Sequence, residues 1–272
     1  MRRFLLLLLA ATILLIGYAF AEARRDPVVR RAIVSLPGWP RGSPPVRVAL
    51  LSDIHIGGPA MDAGRLRRIV GQVNALRPDL VLIAGDFISG EDPLAGARAA
   101  ARLGAPLSTL RARYGALAVL GNHDHWTAPA LVRRQLARAG VTVLANEVAK
   151  RGPLTIGGVD DPFTNRDRLA PVLARMERPG LMLAHSPDIA PETPPGTLLL
   201  AGHTHCGQIM LPVIGPPVIS SPRLSMRLYD PRYRCGLVRG HGRVVVVTGG
   251  LGASLPLRLR APPDLWLLTL GP

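Results

Sequence analysis

The sequence predicts an α/β domain with parallel strands, preceded by one apolar helix. Three observations predict it. From Val46 onward, short continuous apolar runs alternate with amphipathic stretches of helical period. Five of the apolar runs end in a cluster drawn from glycine, aspartate, asparagine and histidine. An uncharged run fills the N-terminus and is set apart from the rest by a Pro/Gly-dense stretch.

The N-terminal run comes first. Arg2 and Arg3 precede Phe4 to Ala21, 18 residues without a charge. That approaches the ~20 residues with which a helix crosses a bilayer. A core helix would carry polar residues at helical spacing, and Leu5 to Leu9 carries none. Residues 1–22 are therefore expected to be a signal anchor or a signal peptide. An anchor gives a single N-terminal span in the inner or plasma membrane; cleavage gives an exported domain. Ala19-Phe20-Ala21 has the form of a cleavage site, but the run is longer than a usual signal-peptide core. Arg24, Arg25, Arg30 and Arg31 oppose Arg2 and Arg3, so charge does not set the orientation. Pro37, Pro40, Pro44, Pro45, Gly38 and Gly42 then mark residues 23–45 as a linker rich in Pro, Gly and Arg, which leaves 46–272 as the domain.

Within the domain, Val46 to Ser52 reads as a strand buried on both faces. Over 62–76, Leu66, Ile69, Val70, Val73 and Leu76 share one helical face, and Pro78 stops the helix. Leu80 to Ala84 is a second strand, 94–112 a helix, Ala116 to Leu120 a third strand and 129–139 another helix. The second half is richer in strands, at 154–159, 180–184, 197–201, 233–239, 243–248 and 264–270, with a helix over 166–177.

Composition narrows the function classes. Of 272 residues, 48% are apolar, enough for a full core and too many for a disordered chain. Aromatics are only 4%, which argues against a base-stacking surface and hence against nucleic acid as a partner. The net charge is +15, of which residues 1–45 carry +5. The basic excess reads either as an Arg-rich solvated surface or as a preference for anionic surfaces and substrates. Cys206 and Cys235 make neither a disulfide framework nor a zinc set, and whether they pair is left open. Oligomeric state is not legible.

The five clusters carry the chemistry. They are Asp53-Ile54-His55, Gly85-Asp86, Gly121-Asn122-His123-Asp124-His125, His185, and Gly202-His203-Thr204-His205. Each follows an apolar strand-like run, and residues just past the C-termini of parallel strands converge on one edge of the sheet. Carboxylate, imidazole and amide oxygen are ligands for Mn, Fe or Zn. In extended backbone, Asp53 and His55 would point the same way, as would His203 and His205. Singly, each residue has an ordinary use: Asp53 as a helix cap, Asp86 as a turn residue, Asn122 as a residue of positive φ. Five in order, each at a strand end, do not.

This series resembles the calcineurin-like metallophosphoesterases, over nearly all of 46–272. The text around Ser52-Asp53-Ile54-His55, Ala184-His185-Ser186-Pro187-Asp188 and Gly202-His203-Thr204-His205-Cys206-Gly207-Gln208 further resembles the bacterial membrane-associated branch. Some members of that branch are UDP-2,3-diacylglucosamine pyrophosphatases. The resemblance implies two mixed β-sheets in a sandwich flanked by helices, and a dinuclear centre. It implies that Asp53, His55 and His205 hold one metal, that Asn122, His185 and His203 hold the other, and that Asp86 bridges them. It implies that His123 contacts the phosphate and assists the leaving group, oriented by Asp124. His125 falls outside the pattern, and Cys206 stands where relatives often have glycine, its thiol a bystander or redox-sensitive.

The function implied is hydrolysis of phosphate esters by metal-bound hydroxide, since coordination lowers the pKa of water toward ~7. The substrate class it suggests is a membrane phospholipid or nucleotide-linked lipid. The alternatives are a phosphodiesterase for cyclic nucleotides or nucleic acid, and a catalytically silent membrane-associated scaffold. A scaffold would be expected to have lost ligands.

Overall fold

The computed structural model describes residues 1–221 and 226–272. In chain order its regular elements begin with α1 (Arg2–Arg24), β1 (Val28–Ser35), β2 (Val46–Leu51), α2 (Ala63–Ala75), β3 (Leu80–Ala84), α3 (Pro93–Ala100) and α4 (Gly104–Leu107). There follow β4 (Ala116–Val119), α5 (Asn122–Thr127), α6 (Pro129–Arg138), β5 (Val141–Val143), β6 (Glu147–Arg151), β7 (Leu154–Gly158) and α7 (Leu169–Leu173). The chain ends with β8 (Gly180–Leu183), β9 (Leu198–Ala201), β10 (Ser220–Ser221), β11 (Met226–Arg227), β12 (Gly236–Gly240), β13 (Arg243–Val247) and β14 (Asp264–Gly271).

Two six-stranded mixed sheets result, in the orders β1-β14-β2-β3-β4-β5 and β12-β13-β9-β8-β7-β6. The alternation of side chains along a strand explains the layering. Val48 and Leu50 of β2, with Leu80 and Leu82 of β3, face Ile156, Leu181, Leu183, Leu198 and Leu200 of the second sheet. Their neighbours Ala49, Leu51, Val81 and Ile83 face outward onto Leu66, Ile69, Val73, Leu107, Val132 and Leu136 of the helices. The opposite face of the second sheet, with Met182, Leu199 and Val247, is covered by Val172 and Ile189. Strands buried on both faces are what made these runs continuously apolar.

The sandwich implied by the resemblance is thus the observed one, and several element boundaries differ. Residues 28–35, inside the expected linker, form β1, which pairs parallel with β14. Its Arg30 reaches the buried carboxylate of Asp264 at 2.5 Å. The expected helix 94–112 is two helices, because Pro106 lacks an amide hydrogen and Gly104 lies tight against Gln135. The expected helix 166–177 shrinks to α7: the amides of Arg166 and Arg168 bond to Asp161 O and Asn146 Oδ1 in a turn instead. The strand expected at 233 starts at Gly236, after a 3₁₀ turn at Pro231–Tyr233. Two edge strands gave too little signal to be expected: β5 is only three residues long, and β6 is largely charged. Cys206 is no free thiol: it is disulfide-bonded to Cys235.

Candidate metal centre

All five clusters meet. β2, β3 and β4 are parallel neighbours in one sheet, and β8 and β9 in the other, so their C-terminal ends bring five loops to one edge of the sandwich. Asp53, His55, Asp86, Asn122 and His185 are all buried, at 3% exposure or less. His123, His203 and His205 are half-buried and line a cleft of about 690 Å³ together with Glu91, Trp126 and Phe163.

The local backbone departs from the extended form expected of Asp53-x-His55 and His203-x-His205. The strands stop at Leu51 and Ala201, and all four residues adopt positive φ, from 49° to 68°. Asp86 does the same at 54°. Non-glycine residues adopt this region at a cost of roughly 1–3 kcal/mol each, so the surrounding structure must hold them. Amide bonds from Asp53 to Gly85 O and from His55 to Asp86 O supply part of that hold. Two glycines are required by close approach: a Cβ on Gly121 would strike the Asp86 carboxylate, and one on Gly202 would strike Ser52 Oγ.

The donor atoms form two groups around Asp86. In the first, His205 Nε2 lies 3.6 Å and His55 Nε2 3.8 Å from Asp53 Oδ1. In the second, His185 Nε2 lies 3.1 Å from both Asn122 Oδ1 and His203 Nδ1. Asp86 Oδ2 stands between the groups, 3.5 Å from His55 Nε2 and 3.3 Å from His185 Nε2. The donor atoms of Asp53, His55 and His205 lie within 4.8 Å of one another, and the same is true of Asp53, Asp86 and His185.

Whether a cation fits is tested by two atoms. Asp53 Oδ1 and His55 Nε2 are buried and find no hydrogen-bond partner among the described residues. An unpaired buried polar atom costs roughly 1–3 kcal/mol, and a divalent cation would satisfy both. The residues fit the ion.

In His185 and His203 the other ring nitrogen is held by a carbonyl acceptor, which frees the inward one. His185 Nδ1 is 2.7 Å from Ala84 O, and His203 Nε2 is 2.8 Å from Leu228 O. Burial pushes His55 and His203 down to about 3, and burial with the charges of His55 and Arg258 keeps His205 well below its usual value. Neutral imidazole is the form a metal needs. Burial also opposes charge on His185, but Asp86, Asp53 and Asp161 outweigh it and push that group up to about 10. Burial, with repulsion from Asp86, raises Asp53 to about 6 against the pull of His185. The pocket thus concentrates negative charge that a cation can balance.

His123 extends toward the cleft. Its ring is oriented by Gly90 O, 2.8 Å from Nδ1, and packs edge-on against Trp126. It also lies within ligand reach of His55 and Asp86. The expected Asp124–His123 contact is replaced by another arrangement. Asp124 Oδ1 accepts from the amides of Phe87 and Ile88, and Oδ2 from Gly121, so this carboxylate ties the second and third loops together. Burial, aided by the charge of Asp86, raises it to about 7.

Some residues of the site were not singled out in the sequence. His125, left without a role, bonds Asp160 at 2.7 Å and so holds the turn whose Phe163 packs 4.7 Å from the His203 ring. Asp160 and Asp161 follow the run 154–159 just as the other clusters follow theirs, and that was the available signal. Arg258 is fully buried: it donates to Gly249, Gly252 and Ala261 carbonyls and lies 3.3 Å from His205 Nδ1. An arginine inside the apolar run 255–259 marks it in the sequence.

Comparison with known proteins adds the following. A family model for calcineurin-like phosphoesterase matches residues 46–207. An uncharacterized metallophosphoesterase of Bacillus subtilis, YkuE, is 31% identical over 85% of this chain and 81% of its own length. A transmembrane protein with metallophosphoesterase domain from Danio rerio is 30% identical over 97% of this chain, which spans 62% of that protein. The phosphodiesterase YaeI of Escherichia coli is 27% identical over 83% of this chain and 82% of its own length.

Proposed function

The chain belongs to the calcineurin-like phosphoesterase family, and from that premise we propose that it hydrolyses the phosphate ester of a membrane lipid, or of a nucleotide-linked lipid, at a centre of two divalent ions. Membership makes it a metal-dependent phosphoester hydrolase. The finer reading assigns Asp53, His55 and His205 to one ion, Asn122, His185 and His203 to the other, and Asp86 to both. The observation that carries it is the pair of partnerless buried atoms, Asp53 Oδ1 and His55 Nε2, facing the carboxylate that links the two groups.

Bound ions of this kind supply an activated water and neutralise charge on a phosphoryl group. The protein's own part is orientation. Ala84 and Leu228 carbonyls aim His185 and His203, and Asp124 fixes the loops that carry Asp86 and Asn122. Gly90 O accepts from His123 Nδ1 and so orients the ring; as imidazolium it would donate its Nε2 proton to the phosphoryl or leaving oxygen.

Two features support a lipid substrate. α1 is exposed and apolar over most of its length, which suits a membrane anchor. The cleft beside the ligand groups has an apolar wall of Ile209, Pro217, Val218, Leu228 and Leu255. The Cys206–Cys235 disulfide favours the non-cytoplasmic side of the membrane, where such bonds persist. A second reading, a phosphodiesterase for nucleotides, draws on Trp126 and Phe163, whose rings flank the cleft.

The test is a substrate screen of the metal-reconstituted protein against phosphomonoesters, phosphodiesters and nucleotide-linked lipids. The proposal expects the highest kcat/KM on a lipid ester, and preference for a soluble cyclic nucleotide contradicts it.

A further inference from the structure

We propose that the apolar loop 209–219, with Leu255, is a bilayer-docking surface that seats the mouth of the catalytic cleft at the membrane interface beside α1. The inference rests on the membrane reading of the proposed function and says how the substrate arrives.

From Ile209 to Ile219 the sequence contains no polar or charged side chain. A soluble domain would fold such a stretch inward. Here Val213, Ile214 and Val218 are 107%, 75% and 60% exposed, and Leu255 is 50% exposed. A contiguous exposed apolar patch marks a surface that something covers.

What covers it follows from where it is tied. The start of the loop is laced to 255–259: Met210 N donates to Leu259 O, Leu259 N to Gln208 O, and Gln208 Nε2 to the carbonyls of Leu255 and Leu257. In the middle of that segment, Arg258 N donates to Ala19 O of α1 at 2.9 Å. Loop, segment and helix therefore lie side by side. Ala19 is two residues before the end of the uncharged run Phe4 to Ala21, about 3 Å along the helix axis at ~1.5 Å per residue. A helix crossing a bilayer with that run holds Ala19 at the edge of the hydrocarbon. Whatever is bonded to Ala19 is held at the same depth.

The junction is not a loose tether. Ala19 and Ala23 are buried against the domain. The buried guanidinium of Arg65 donates to Arg24 O and Arg25 O at the end of α1, and to Ala60 O and Leu251 O in the domain. It thereby satisfies carbonyls that a helix end leaves free. Leu251 N in turn bonds Ser52 O, one residue from Asp53. Exposed Arg24, Arg25, Arg227 and Arg260 lie close in sequence to these elements and suit an anionic headgroup layer. The occupant is therefore a lipid bilayer. Since Ile209, Val218 and Leu255 also line the cleft, an acyl chain can follow the loop while its phosphate reaches His123.

The test uses the full chain reconstituted in vesicles of phosphatidylcholine and phosphatidylglycerol. Ile214→Trp, read against the parent signal of its own tryptophans, should shift to the blue and be quenched at least ~2-fold by lipids brominated near the headgroup. The double variant Val213→Ser with Ile214→Ser should lose at least ~10-fold in turnover of a long-chain lipid phosphate in vesicles and keep its turnover of a soluble aryl phosphate. An unquenched Trp overturns the inference. So does a blue shift that appears only as protein concentration rises, which would mean a second copy covers the patch. Quenching without hydrolysis of any lipid ester leaves the docking surface standing and removes the lipid substrate. An unquenched probe with full lipid turnover removes the docking surface and leaves the substrate.

Discussion

The two halves of the proposed centre are built from similar residues and held differently. In the half of Asn122, His185 and His203, the donor atoms touch one another at 3.1 Å and so partly satisfy themselves. In the half of Asp53, His55 and His205, the donors stand 3.6 to 3.8 Å apart and two of them have no partner among the described residues. The difference teaches that a bound cation does more for the Asp53 half, the first of the two groups described above, than for the Asn122 half, the second. There it would supply missing bonds, whereas in the second it would replace existing ones. The first half also leans on Arg258, a buried cation beside His205, while the second leans on backbone carbonyls and on the turn held by His125 and Asp160.

Joining the halves is Asp86, so its loss should have the largest effect. Asp86→Asn is expected to lower turnover at least ~10³-fold and to reduce the content of both ions by elemental analysis. Near-normal turnover with both ions present would show that the halves work independently.

His123 belongs to neither half. Replacing it with alanine should keep both ions and cost on the order of 10²–10⁴ in kcat, the usual worth of general-acid or charge-stabilising help. Loss of one ion per chain would place His123 among the ligands, as its reach to His55 and Asp86 permits.

Stability sharpens the comparison. The disulfide closes a loop across a sequence separation of 29 next to His205, and its removal in the variant Cys206→Ser with Cys235→Ser should cost about 3–4 kcal/mol in denaturant unfolding. Chelation should lower the melting temperature, and the drop should be smaller in Asp53→Asn, where a carboxylate that the ion would satisfy is already gone. An equal drop in parent and variant would remove the asymmetry argued here.

The smallest effect concerns the second half alone. Burial raises Asp160, but the bond and charge of His125, the Asp161 amide and Arg133 together hold its carboxyl below the usual range. A depressed carboxyl contributes stability above its unfolded pKa and loses it as pH falls through the folded one. His125→Ala should therefore cost roughly 1 kcal/mol at neutral pH and show a shallower loss of stability below about pH 4 than the parent. Identical acid profiles would show that this pair does not support the Phe163 turn.

The strand-end logic explains what was legible. Buried parallel strands leave continuous apolar runs, and the polar residues that interrupt them lie at one edge, so the meeting of Asp53, Asp86, Asn122, His185 and His203 followed from sequence. Backbone conformation did not follow. Asp53, His55 and His203 adopt positive φ with their own amides bonded to Gly85 O, Asp86 O and Asp53 Oδ2 of other loops, and those contacts are tertiary. β1 was hidden because Arg30 and Arg31 break its pattern at a sheet edge, where Arg30 is balanced by Asp264, distant in sequence. The partners of Arg65 and Arg258 were not legible, since only the fold places carbonyl groups around them.

The account turns on two ions acting together, and a titration tests that most directly. Metal-stripped protein receives Mn²⁺ in steps while binding and turnover of an aryl phosphate are followed in parallel. The account predicts two equivalents bound per chain, with turnover rising only as the second site fills. Full turnover at one equivalent, or turnover indifferent to chelation, would contradict it.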